Sequence, residues 1–475
     1  LRLEELEPRV LLSTWPPFSP AQVRQAYGFD RVTFANPHGG AVQGDGSGQT
    51  IAIVDAFDDP RIWRDLQTFD AKYGLPDPPS FIRATPLGKP PRNGLWSFEI
   101  ALDVEWAHAI APGANILLVE APSNSAAGLF GALDFARKQP GVVAVSCSWS
   151  GPEFSGERIA DRHFATPVGH IGGSGLPGGI TFVVASGDDG APPEWPAISP
   201  RALAVGGTSL TIDDAGNYGG EVGWSGSGGG KSRIERRPAY QDAVQDTGRR
   251  QNPDVAYNAD PDTGVAVYDS VPSAFGAPGW WQMGGTSAAA PQWAALIAIA
   301  DQGRALAGLG SLDGLTQTLP ALYSLPGSDF HDITTGSNGF DAGPGYDLVT
   351  GLGSPYADRL VPDLVKVGLI SPGSKVSVAS AASGVSAPGA GLRAALSGAG
   401  SFRAHLDLLA RPLGLLAPAN PGPAPATKQG QDSQLPWWDQ AGEAFLTELR
   451  RREEFGNFQL TQSWAEGLLG FHHRE

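Results

Sequence analysis

The chain has 475 residues, with 49 acidic against 33 basic side chains and a formal net charge of -16. Dispersed negative charge argues against a nucleic-acid backbone or an anionic membrane as partner. A single cysteine, Cys147, excludes an internal disulfide and any Cys-rich metal centre. The 41% hydrophobic content suffices for a core, and no apolar run reaches the roughly 18 residues of a membrane span.

In chain order, the first 16 residues contain Leu6-Glu7-Pro8-Arg9-Val10-Leu11-Leu12. They lack the basic start and apolar stretch of a signal peptide. They resemble a short LEPR-x-LL motif found near the N-termini of exported bacterial surface proteins, and equally an ordinary terminus. The chain starts at Leu1 and its one methionine is Met283, so a processed or truncated chain is expected. From about Gln49 to Val365, short β-branched runs alternate with helical patterns. The expected strands are Thr50–Val54, Asn115–Val119, Val142–Ser146, Ile180–Ala185 and Ala202–Val205. The expected helices are Asp58–Tyr73, Trp96–Ile110, Ser125–Lys138 and Ser287–Asp301. Buried runs in this order predict an α/β fold with a central parallel sheet flanked by helices. Residues 367–475 form a tail rich in Ala, Gly, Ser and Pro, a linker composition. Short helices are expected within it at Phe402–Leu416 and Gln440–Glu454. His472 and His473 near its end read as solvated tail.

Chemistry concentrates in three places. Gly284-Gly285-Thr286-Ser287 precedes an apolar helix, so Ser287 sits at a helix N-terminus. There, free N–H groups and the dipole favour a developing oxyanion; a simple N-cap is the plain alternative. The pattern resembles the nucleophile motif of the subtilisin-like superfamily. A serine nucleophile needs a base, yet no His-Gly-Thr follows the strand ending in Asp55. None of the eight histidines has the expected context, so the base is sought elsewhere.

Glu99 and Asp103 are four residues apart and share one helical face, with Cβ atoms roughly 5–6 Å apart. Desolvated, two such carboxyls cannot both ionise easily and share a proton, which suits a base acting in acid. A solvated acidic face is the plain alternative. Thirdly, Asp188 follows the strand Phe182–Ala185 in Ser186-Gly187-Asp188-Asp189-Gly190. A protonated Asp there donates to an oxyanion; an Asp-Asp-Gly turn is the other reading.

Together these segments resemble the sedolisin family of serine-carboxyl peptidases, over residues 17–366. Ser19–Tyr27, Trp224–Ser232 and Pro253–Gly264 carry further parts of the likeness. The resemblance implies a subtilisin-like three-layer fold, with Ser287 as nucleophile, Glu99 as general base and acid, Asp103 as its proton-sharing partner and Asp188 as oxyanion stabiliser. It implies that Asp55 and Trp149 extend the triad, and that Ser148, Ser150 and Gly151 line the substrate cleft. It also implies one calcium ion, held by Asp332, Asp347 and the carbonyls of Ile333, Gly343 and Gly345; hard oxygens are what calcium takes. Gly228-Gly229-Gly230-Lys231-Ser232 is not a nucleotide-binding loop, because Ser225 stands where the first glycine is required.

Two features depart from the family. Sedolisins carry a long N-terminal prodomain, and only 16 residues precede the match. Many members also have Gly at the position of Ser150. The expected function is acid peptide hydrolysis by a secreted or cell-surface monomer. The alternatives are a surface binding module that has lost activity, and a subtilase using a non-standard histidine such as His108.

Overall fold

The computed structural model describes residues 17–272 and 278–368, together with the backbone of Arg403–Ala404 and Arg411–Pro412. The LEPR-x-LL segment, the expected helix at 440–454 and the terminal histidines lie outside the described residues.

The strands that matter for the site are β1 (Thr50–Ala56), β2 (Phe81–Ala84), β3 (Asn115–Ala121), β4 (Val142–Cys147), β5 (Trp149–Pro152), β6 (Thr181–Ala185), β7 (Glu194–Trp195), β8 (Leu203–Ile212), β9 (Tyr218–Gly223), β10 (Val255–Asn258), β11 (Val265–Asp269), β12 (Gly279–Met283), β13 (Arg403–Ala404) and β14 (Arg411–Pro412). The helices are α1 (Pro20–Tyr27), α2 (Ile62–Tyr73), α3 (Gly94–Ile110), α4 (Ala126–Ala136), α5 (Thr286–Leu306) and α6 (Ala357–Val365). The central sheet runs β9-β8-β6-β4-β1-β3-β2, with β10 also paired to β8. All of these pairings are parallel except β8 with β9. The parallel strands are the continuous apolar runs of the sequence, as burial on both faces requires.

Side chains alternate across each strand, and the alternation sorts two cores. Ile51 and Ile53 of β1 pack with α3 and α5, whereas Ala52, Val54 and Ala56 pack with α4. Helices therefore cover both faces of the sheet. The α3 helix is buried from Trp96 to Ile110, as befits a helix that is apolar nearly all round. Its start is fixed by Asn93, whose side chain accepts the N–H groups of Leu95 (2.9 Å) and Trp96 (3.3 Å).

The α2 helix begins at Ile62 and not at Asp58. The N–H of Asp58 is taken by Pro91 O and that of Asp59 by Glu120 Oε1, which leaves this stretch as a turn. The helix expected over 402–416 is contradicted where it is described. Arg403–Ala404 pairs antiparallel with β5, and Arg411–Pro412 with β12. Strand edges offer unpaired backbone groups, and Pro412 lacks the N–H a helix interior needs.

Candidate active site

Parity along β1 puts Asp55 on the same face as Ile51 and Ile53, looking at α3. On α3, Glu99 and Asp103 are one turn apart. All three carboxyls are fully buried. Burial first, and then the charge of Asp55, pushes both Glu99 and Asp103 well above the usual carboxylate range. Burial, then Glu120, pushes Asp55 up to about 8. Glu120 pairs in register with Asp55 on the neighbouring strand, which a single sequence does not disclose. Two residues beyond Asp55, Phe57 holds a φ of 68°, a costly conformation for a side chain of this size.

Ser287 lies in the first turn of α5, after Gly285 with φ 100°. A Cβ on Gly284 would come within 2.5 Å of Ala259 O and Pro261 N, so only glycine permits this approach. Ser287 is near enough to Glu99 to favour its ionised form, against burial and Asp55. No aligned hydrogen bond is yet formed, since Ser287 Oγ and both Glu99 oxygens lack a partner of good geometry. Resting sites often tighten such contacts only with substrate bound.

Asp188, half-buried beyond the end of β6, joins the cluster through α5. Its Oδ1 accepts the N–H of Thr286 at 2.7 Å and the Thr286 hydroxyl at 2.8 Å. Thr286 in turn accepts Gly187 N–H at 3.1 Å. Asp188 is thus anchored to the residue next to Ser287, and its charge acts on Glu99. The middle residue of Gly-Thr-Ser was the available sign of this anchor.

The segment after β4 closes the cluster. Ser148 Oγ donates to Asp103 Oδ1 at 2.8 Å, so this side chain, expected to line the substrate cleft, is committed to the acidic pair. The buried Trp149 indole donates to Val54 O at 2.8 Å, fixing the strand beside Asp55. The Ser150 hydroxyl bonds Glu194, and Gly151 pairs with Trp195.

His108 is absent from this group. Nine residues beyond Glu99, it faces the opposite side of α3 at about 100° per residue. Its Nε2 meets Pro76 O at 2.8 Å and Asp70 at 3.4 Å. Burial lowers its pKa to about 4. The histidine alternative loses its candidate.

Residues 97–308 match the subtilase family. The chain is 35% identical to kumamolisin from Bacillus sp. (strain MN-32) over 405 residues, covering 76% of this chain and 66% of that protein. It is 32% identical to sedolisin from Pseudomonas sp. (strain 101) over 246 residues, 45% of this chain and 39% of the other. The solved Pseudomonas sedolisin, described as a serine-carboxyl proteinase complexed with two molecules of pseudo-iodotyrostatin, matches with a TM-score of 0.61 and 26% identity. That match covers 74% of this chain and 98% of the other. The chain belongs to the sedolisin family. It spans just under two thirds of kumamolisin and less of sedolisin.

Two further acidic groups in this sedolisin-family chain bear on metals. Asp332 Oδ1 accepts Gly345 N–H at 3.0 Å, and Asp347 Oδ2 accepts Gly343 N–H at 3.0 Å. Both carboxylates expected for calcium thus converge on the 343–345 segment, where Gly345 has φ 79°. This hard-oxygen set fits the ion. Separately, Asp59, Asp65 and Asp269, all buried, bring carboxylate oxygens within 4.8 Å of one another. Nothing in the local sequence signals that group, because its third member comes from a strand some 200 residues away.

Proposed function

We propose that this chain is an acid-acting serine-carboxyl peptidase that cleaves peptides or unfolded proteins through an acyl-enzyme. One observation carries the reading. Ser287, at the start of a buried helix, stands beside the fully buried Glu99, and among the described residues the groups acting on Glu99 are Asp55, Ser287 and Asp188, with no histidine.

Ser287 Oγ attacks the scissile carbonyl carbon as Glu99 takes the hydroxyl proton. The C–N bond then breaks and Glu99 returns that proton to the leaving amine. Water repeats the sequence on the acyl-enzyme, with Glu99 again as base. Asp103 and Asp55 take part by sharing protons with Glu99. One negative charge in the group is eased by the hydroxyls of Ser287 and Ser148, both of which favour ionisation. A protonated Asp188, with the Ser287 N–H, donates to the tetrahedral oxyanion. Trp149 holds β1 in place, and Ser150 and Gly151 border the cleft. One calcium ion on Asp332, Asp347 and the carbonyls of Ile333, Gly343 and Gly345 would stiffen a loop remote in sequence from Ser287. No helix among the described residues is long and apolar enough to cross a membrane, and the reading is of a secreted or cell-surface monomer.

The test is hydrolysis of an unstructured protein from strongly acid to neutral pH, with cleavage sites mapped, alongside labelling of Ser287 by a peptide aldehyde. Cleavage confined to acid, lost in Ser287→Ala, is expected. An absence of both turnover and adduct at every pH would favour an inactive binding module.

A further inference from the structure

We infer that the C-terminal segment carrying β13 and β14 pairs where an extended peptide substrate would pair, and so competes with substrate from within the same chain. The inference rests on the peptidase reading and concerns regulation of that site.

Two backbone pairings carry it. β13 adds antiparallel to β5, with Arg403 opposite Ser150 and Ala404 opposite Trp149, in a sheet ordered β13-β5-β7. β14 adds antiparallel to β12, with Arg411 opposite Gln282 and Pro412 opposite Trp281, in the order β11-β12-β14. The receiving strands are covalently continuous with the two sides of the site. β5 starts one residue after Ser148, which holds Asp103. β12 ends at Met283, just before the glycines that lead into Ser287.

The tail therefore has one pairing beside the acidic partner and the other beside the nucleophile. Only residues 405–410 separate them, a stretch that spans at most about 25 Å between its anchors. Both attachments are made by backbone, which is how an extended peptide adds to a sheet edge whatever its sequence. A tail serving only to cover two edges would leave substrate binding unchanged, and that difference can be measured.

The experiment uses the full chain with Arg403→Pro plus Ala404→Pro, and separately Arg411→Pro. Each variant removes tail N–H groups needed for pairing and leaves the catalytic cluster untouched. Amide exchange at residues 149–152 and 280–283 reports release of the tail without reference to activity. The expected result is faster exchange there, with KM for a short quenched peptide falling about threefold or more and kcat held, since a competing closed state scales apparent affinity. A synthetic peptide of residues 400–414 should restore the higher KM competitively. Faster exchange with KM unchanged in both variants would overturn the competition and leave an edge cover. If neither wild type nor variants turn over peptide or label at Ser287, the peptidase reading falls, and the competition with it.

Discussion

Ser148 Oγ donates a hydrogen bond to Asp103 Oδ1 at 2.8 Å, and both residues are fully buried. Burial, then Asp55 and Glu99, raises the Asp103 pKa, and Ser148 opposes them. Ser148→Ala should therefore raise it further, so that the group gives up its first proton at higher pH. We expect the acid limb of the rate profile to move upward. A hydrogen bond to a charged group is worth about 1.5–3 kcal/mol, so kcat should fall roughly ten- to a hundredfold. An unmoved acid limb would separate Ser148 from the proton-sharing group.

Glu99→Gln should lower kcat by about 10²–10⁴, the usual contribution of a general base, with the fold intact. His108→Ala should leave kcat within a few fold while lowering the melting temperature, because His108 packs between Pro76 and Asp70. Loss of activity only with His108 would reverse the assignment.

Asp188 must be neutral to donate to the oxyanion, while one carboxyl of the Asp55–Glu99–Asp103 group must be ionised. Opposed demands give a bell, and its limbs are macroscopic values of the coupled site. Because burial raises the whole group, the optimum is expected nearer neutrality than ordinary carboxylates would give, still on its acid side, with activity falling at alkaline pH where no neutral Asp188 remains. Asp188→Asn supplies a permanent N–H donor, so it should lose rate but carry the alkaline limb upward. A wild-type optimum at neutral or alkaline pH would sink the Ser-Glu-Asp triad.

Stability should also be greatest in acid. Burial, with nearby carboxyls, raises Asp55 and Asp59 to about 8 and Asp269 to about 6. Burial likewise raises Glu120 to about 7, against Arg83. Unfolded Asp and Glu titrate near 3.9 and 4.3, so between these values the folded chain binds more protons than the unfolded one. Stability then falls with rising pH. It is fully present below about pH 4 and lost progressively as pH passes through the folded values. Asp134 works the other way: despite burial, His163 and Arg137 hold it at about 2. Melting temperatures between mildly acid and slightly alkaline pH should fall, and Asp269→Asn should flatten the decline below about pH 6. A rising curve over that interval would contradict the assignment.

Calcium removal tests the remaining assignment. At mildly acid pH, chelation should lower the melting temperature, and excess calcium should restore it by mass action. Asp347→Asn should abolish that response. Stronger acid, by protonating the ligands, should weaken it. A melting temperature indifferent to chelator would remove calcium from this loop.

Much of this protein is legible along the chain. Apolar runs of strand length between helical patterns mark the parallel sheet, because burial on both faces demands continuous hydrophobicity. The Gly-Gly-Thr-Ser turn and the four-residue spacing of Glu99 and Asp103 are local facts, and the structure puts both carboxyls on one buried face of α3. What the sequence leaves open is everything that depends on register between distant segments. Whether the acidic pair is solvated or buried is decided by the packing of α3 against α5. That Asp55 stands beside Glu120, that Ser148 donates to Asp103, and that Asp188 is tied to Thr286 all follow from strand pairing and helix placement. Propensity alone read residues 402–416 as helix, while the open edges of β5 and β12 draw parts of that stretch into strands. Local chemistry is set by neighbours along the chain; the pairing of charges and of strand edges is set by neighbours in space.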